Sequence, residues 1–266
     1  MTHFTTTPNN KIRGLLAGFG AAVFWLAVWQ LISMLVAQEL LVPAPLMVLK
    51  ALGRLVVTTT FWRSTYLSLL RIVVGFVTGI FCGSGAAILT TRFKAADFLI
   101  SPVLRIIRAT PVASFIILAL VWIRTGWLPA FISFLMVVPV VWSNVENGIR
   151  QIDDKLLEMA QVLRLGRLKT LLHIRIPSVM PYFTAACTTG MGLAWKSGIA
   201  AEVICRPDFS IGKQLQNAKI YLETPDVFAW TITIVLLSML LEKLLVLATG
   251  RFGHWFHTGA AGKESK

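Results

Sequence analysis

Two parts of this chain carry residues able to do chemistry. One is Lys196, an ammonium in an apolar stretch, 15 residues past Pro181 and so roughly 22 Å along a helix rising ~1.5 Å per residue. A charge at such depth faces a cavity or a partner and marks a pathway, and an ammonium there suits a sulfonate, nitrate or carboxylate. The competing reading is that Lys196 snorkels outward, or pairs with a carboxylate such as Glu202. The other part is residues 146–177, which hold ten of the chain's 37 charged residues, six basic and four acidic. That density is costly in hydrocarbon, so the segment must protrude into water. Its layout of helix, Gly166, second helix and Ile174-Arg175-Ile176-Pro177 is that of a docking element.

Catalytic patterns are missing. The chain has no GxxxxGK[ST] phosphate cradle, no HExxH, no GxSxG and no paired membrane-embedded aspartates, so neither nucleotide binding through a backbone nest nor an intramembrane hydrolase is expected. Cys82, Cys187 and Cys205 lie in or beside apolar stretches without CxxC spacing and read as small buried hydrophobes. No catalytic residue, metal site or cofactor of the chain's own is expected.

The elements that must position these residues follow from composition. At 56% hydrophobic, 14% charged and a mean hydropathy of +0.74, the chain carries far less charge than soluble domains, where roughly a quarter of residues are charged. It reads as an all-α, polytopic membrane protein. Its 266 residues allow about six spans of ~20 residues. Apolar runs place them near 14–37, 72–90, 102–123 (broken near Pro111), 128–145, 179–205 and 226–248. The domain plan is an N-terminal tail 1–13, a transmembrane domain 14–248 containing the 146–177 loop, and a C-terminal tail 249–266. Between spans one and two, Pro43 and Pro45 precede a short amphipathic stretch with Lys50 and Arg54, expected at the membrane surface. Gly75, Gly79 and Gly83 recur every four residues, which makes one face of span two a packing face.

Lys and Arg are unequally shared between alternate sides: thirteen with the N-terminus, seven opposite and five within or at the ends of spans. The positive-inside rule puts both termini and the charged loop in the cytoplasm. The net charge of +13 is then mostly a topology signal, and no basic surface with aromatic readout points to nucleic acid.

Inside the loop, Leu156, Met159, Ala160 and Leu163 form one helical stripe, and Leu168, Leu171 and Leu172 form a second after Gly166, read as the helix break. Two such short helices bury too little to stand alone and need a partner protein, or the chain's own helix ends, to cover them. Here Glu158-Met159-Ala160, followed by Ile174-Arg175-Ile176-Pro177 with its proline nineteen residues after the glutamate, resembles the EAA loop (EAA…G…IxLP) of ABC-transporter permeases. From about Ser64 to Lys243 the order of spans, the position of the loop and the run Gly190-Met191-Gly192-Leu193-Ala194-Trp195 are similar to the permeases of the nitrate, sulfonate, taurine and thiamine-precursor import group. In two places the chain departs from the pattern: Met159 replaces an alanine, and Arg164 stands where the family has glycine, with Gly166 two positions later.

The resemblance implies a type I ABC importer-like permease fold in the bacterial inner membrane. Glu158, Met159, Ala160, Arg164, Gly166, Ile174, Ile176 and Pro177 would form a coupling loop on a separate ATPase subunit, and ATP and Mg would belong to that partner. The implied assembly is a permease homodimer in membrane lipid with two ATPase subunits and a solute-binding protein. Trp195 and Glu202 join Lys196 as candidate pathway residues, and Ser210, Ile211 and Gly212 are a candidate periplasmic gate or docking segment. The other class of reading is a secondary transporter or channel with a regulatory loop, against which no internal repeat is found.

Overall fold

We describe a computed structural model, in which the backbone is described from Asn9 to Ala261 and side chains from Gly20 to Thr249. Residues 1–8 and 262–266 of the two expected tails lie outside this range. The remainder of each tail is helical, because α1 begins at Asn9 and the last helix continues through Ala261.

All regular elements among the described residues are helices. In order these are α1 (Asn9–Val36), α2 (Pro45–Val56), α3 (Thr59–Arg92), α4 (Lys94–Ala109), α5 (Val112–Ala119), α6 (Leu128–Arg150), α7 (Asp154–Val162), α8 (Arg167–Thr170), a π-helical turn Leu171–Arg175, α9 (Ile176–Cys205), α10 (Ile211–Ile220) and α11 (Thr224–Ala261). In hydrocarbon a helix satisfies its own backbone, which is why this chain builds nothing else in its apolar runs.

By length and apolarity three described helices are able to cross a bilayer, α3, α6 and the Thr224–Thr249 part of α11. The pair α4 and α5 makes a fourth if counted as one broken span. The expected total of about six is therefore only partly matched on these criteria. The described apolar stretch of α1, Gly20–Val36, is short of the required length. α9 is 30 residues long yet is not among them; its Gly, Ser and Thr residues with Lys196 and Glu202 lower its hydropathy.

Pro111 accounts for the broken span. A proline clashes with a helical residue before it, so Thr110 is extended (φ −81°, ψ 135°), and α4 and α5 meet at a bend of 106°. α4 starts at Lys94, earlier than the expected 102, and takes Pro102 inside the helix.

The chain divides into two compact units, one of residues up to Thr59 with Leu215–Ile232 and one of Thr60–Gln214 with residues from Thr233 onward. In the first, Val48 and Ala51 of amphipathic α2 are buried with Ala229, and Trp29 and Phe228 pack around them, their rings stacked at 5.7 Å. An Arg54–Asp226 ion pair at 2.6 Å and a hydrogen bond from Thr224 Oγ1 to the Leu40 carbonyl at 2.7 Å close this unit.

The second unit is organised around α6, whose apolar window is 67% buried against 33% for α3 and 6% for α11. The expected packing face on α3 is present. A β-carbon on Gly75 would overlap the Ala130 carbonyl, one on Gly79 would lie 2.8 Å from Val137, and one on Gly83 2.8 Å from the Val138 carbonyl oxygen. On α9, Gly198 is equally tight against Ile72 and Ser133. Two buried hydrogen bonds tie the same faces, Ser133 Oγ to the Ala194 carbonyl at 3.0 Å and Trp142 Nε1 to Thr90 Oγ1 at 3.0 Å.

The break between two short helices is present where it is expected, with α7 ending at Val162 and Gly166 opening α8; the φ of −63° and ψ of 155° at Gly166 suit any residue. The left-handed residue is Arg164 (φ 49°), at the position where the related pattern has glycine. Leu165 N–H donates to the Ala160 carbonyl and Arg164 N–H to the Gln161 carbonyl, the paired bonds of a Schellman cap. The turn is thus retained without its glycine, at a cost of about 1–2 kcal/mol for the left-handed arginine.

Gly75→Leu is expected to destabilise the second unit by about 1–3 kcal/mol through overpacking, read as a lower unfolding temperature in detergent. Gly85→Leu is the control, because nothing lies within 4 Å of a β-carbon there; equal effects of the two would refute the packing-face assignment.

Candidate functional site

The element expected to dock is built where α6 ends and α9 begins. Asp153 caps α7, its Oδ1 accepting from Lys155 N–H at 2.9 Å. Of the residues from Asp154 to Arg175 only Ala160 and Ile174 are buried. Glu158 is exposed, and so are Leu156, Met159, Val162, Leu163 and Leu168, Val162 by 82% and Leu168 by 70%. The apolar stripe expected here is real but, apart from Ala160, uncovered within this chain.

Its two ends are firmly seated. Gly148 near the end of α6 lies so close to Tyr182 of α9 that a β-carbon would sit 3.0 Å from its ring, and the Tyr182 hydroxyl donates to Gln151 Oε1. Glu146 accepts from Arg150 at 2.7 Å, one turn earlier on α6. The π-helical turn Leu171–Arg175 carries the chain into α9, with Ile176 and Pro177 half-buried at the start of the helix. The element is therefore joined at both ends to α6 and α9, the two helices of the central packing.

The second cluster surrounds Glu202, fully buried on α9. Its Oε2 accepts from Ser68 Oγ at 2.7 Å and from Gly212 N–H at 3.2 Å. Its Oε1 faces Arg71 Nη1 at 3.7 Å and has no hydrogen bond among the described residues. Ser68 Oγ accepts in turn from Ile211 N–H at 2.9 Å. A buried carboxylate is tolerated only when paired and hydrogen-bonded, and here the pairing comes from α3 and from the first turn of α10, where backbone N–H groups favour an anion.

Arg71 also donates to the carbonyls of Asp208 (3.0 Å) and Phe209 (3.3 Å), and the Arg63 guanidinium lies 3.6 Å from the Phe209 ring centroid. The segment 206–210 is thus clipped to α3 through two residues with left-handed backbone, Arg206 and Phe209. Ser210 and Ile211 have no exposed surface, and Gly212 is so close to Glu202 that a β-carbon would overlap it. These three residues form an internal joint and offer no docking rim. Of the nearby charges, Arg206 and Asp208 are exposed, and Lys213 at 2.5 Å from Asp208 holds that carboxyl below its ordinary range through a hydrogen bond and direct attraction.

The candidate pathway residues separate. Lys196 is exposed on α9. Trp195 is 1% exposed and donates through Nε1 to the Ile234 carbonyl of α11 at 3.1 Å, a packing role. Glu202 belongs to the joint, and the cation facing it is Arg71 rather than Lys196. Sequence reading missed Ser68, Arg71 and Arg63. The available signal was the Ser64, Ser68, Arg71 spacing, which puts two hydroxyls and a guanidinium on one face of a span. No group of His, Cys, Asp and Glu able to hold a metal occurs among the described residues.

Comparison with known proteins agrees with this arrangement. Residues 75–253 match the family model described as "Binding-protein-dependent transport system inner membrane component". The chain is similar to the Nitrate import permease protein NrtB of Synechococcus elongatus, 29% identical over 79% of this chain and 78% of that protein. It is also similar to the Taurine transport system permease protein TauC of Escherichia coli, 23% identical over 91% of this chain and 90% of that protein. A solved chain in the "Crystal structure of an amino acid ABC transporter with histidines" superposes with a TM-score of 0.56 over 71% of this chain and 90% of that one, at 17% identity, and so shares the fold. The family match takes in α6, the exposed α7 element and α9 with Glu202: this chain belongs to the ABC-transporter permeases, the inner-membrane components of binding-protein-dependent transport systems.

Proposed function

We propose that this chain is the permease subunit of an ATP-driven importer, forming the route for a small anionic or zwitterionic solute of the sulfonate, taurine or nitrate class. One observation carries the reading: α7 and α8 present an uncovered apolar stripe beside exposed Glu158 while both ends of the element are seated on α6 and α9. Such a stripe requires a partner, and in this family the fitting one is a separate ATPase that holds ATP and Mg. Two ATPase subunits on the cytoplasmic side, a second copy of this chain and a solute-binding protein on the opposite side complete the unit, with both termini in the cytoplasm. Family membership removes the grounds for a secondary transporter or channel with a regulatory loop.

Mechanically, the ATPase biases the helices only if it grips α7 differently in its two nucleotide states. Movement of α7 passes through Gly148 and Tyr182 to α6 and α9. At the far end of α9, Glu202 holds Ile211 and Gly212, so a shift of α9 relative to α3 opens or closes the 206–213 segment. Lys196, on the exposed surface of the same helix, supplies positive charge to the route. Selection of the solute rests with the binding protein.

Glu158→Lys is expected to leave the permease folded but abolish uptake by proteoliposomes containing the cognate ATPase; uptake that continues without any ATPase would sink the reading. Lys196→Ala is expected to lower solute-stimulated ATP hydrolysis about tenfold, as loss of one charge-assisted contact does, without changing copurification of the ATPase; unchanged stimulation removes Lys196 from the route. Glu202→Ala leaves the Ser68 and Gly212 donors without their acceptor and Arg71 without its opposite charge, which costs on the order of 3 kcal/mol. Its expected sign is faster hydrogen exchange at the Ile211 and Gly212 amides, with Glu202→Gln intermediate. Exchange unaltered in both variants would show that the joint does not depend on this carboxylate.

A further inference from the structure

α7 and the ends of α3, α6 and α9 line a half-open pocket of about 730 Å³, within the range of pockets that hold small molecules. Its walls are apolar, including Ile88, Val145, Ile149, Leu157, Val179 and Phe183. Three arginines share its lining: Arg92 at the end of α3, Arg150 at the end of α6 and Arg175 in the π-helical turn. Arg150 is committed to Glu146 at 2.7 Å, with Asp97 at 4.0 Å. Arg92 and Arg175 are exposed and have no ion pair among the described residues. Asp154 is the one carboxylate in the lining, so the opening is net positive.

An oily cavity beside two uncommitted guanidinium groups fits an amphiphile with an anionic head. A small solute would find few polar partners on these walls, and a soluble anion would leave them empty. The cavity lies at the ends of membrane-spanning helices, where basic pockets meet lipid phosphates. We propose that it binds an anionic phospholipid, with an acyl chain against Val145, Val179 and Phe183 and the phosphate held by Arg92 and Arg175. Leu157 makes the coupling helix one wall of the cavity, so the lipid props α7 from behind and anionic lipid raises solute-stimulated hydrolysis. That consequence rests on the coupling role of α7; the binding itself does not.

The test is native mass spectrometry of the full-length permease released from bilayers of equimolar phosphatidylglycerol and phosphatidylcholine. Phosphatidylglycerol is expected to be retained in preference. Arg92→Gln and Arg175→Gln are each expected to weaken retention about fivefold. Val179→Trp, which fills the cavity and leaves the charges in place, is expected to abolish retention; Met180→Trp on the same lining serves if the first variant fails to fold. Equal retention of phosphatidylcholine would overturn the proposal, as would phosphatidylglycerol that survives both fillings or is displaced by inorganic phosphate. Lipid lost when the ATPase docks would overturn it in favour of a partner segment as occupant. Apart from that docking arm the measurement needs no ATPase, so absence of any coupled hydrolysis counts against the proposed function alone.

Discussion

The close approach of α3 to α6 is the constraint on which the rest of the second unit depends. Lipid offers no hydrophobic drive for helices to associate, so packing must supply it, and packing is best where backbones touch. Gly75, Gly79 and Gly83 remove the β-carbons that would keep α6 away. Gly198 does the same where α9 meets Ile72 and Ser133. With α3 so placed, Ser68 and Arg71, less than two turns before Gly75, reach Glu202 and the segment beyond it.

Glu202 shows what that closeness makes possible. A carboxylate with no exposed surface is a liability unless its partners are fixed, and here α3 and α10 supply them to a residue of α9. The result is a joint in which the position of one segment depends on the relative position of two helices. Packed contacts of this kind have few arrangements, since interiors do not deform continuously, and a joint with few arrangements suits a device that must alternate between states.

At the other end of α9 the logic reverses. The 153–175 element buries almost nothing of its own and exposes leucines, a valine and a methionine to solvent, yet its seats on α6 and α9 are tight. It is stiff where it joins the bundle and unfinished where it faces outward. The Schellman cap at Arg164 keeps the α7 turn compact without the expected glycine, so the geometry of the turn is preserved through hydrogen bonds from Leu165 and Arg164 rather than through a permissive residue.

Much of this is legible in the order of residues alone. Local periodicity is a property of consecutive residues, so the glycine face of α3, the break at Pro111, the amphipathic α2 and the helix-turn-helix layout of 153–175 follow from the sequence, as does membership of a membrane class from composition. Span ends are less legible because helices here run past their apolar cores: α3 begins at Thr59, well before the apolar run at Ile72. What only the tertiary structure decided was pairing across the chain. Ser68 and Glu202 are 134 positions apart, and no pattern of neighbours announces that they meet. Nor does local pattern say that Trp195 is interior while Lys196, next to it, is exposed, or that the left-handed turn falls on Arg164 and not on Gly166. Periodicity reveals which faces exist on each helix. Which faces touch is settled by shape and by the need of every buried charge for a partner, and both are properties of the assembled bundle.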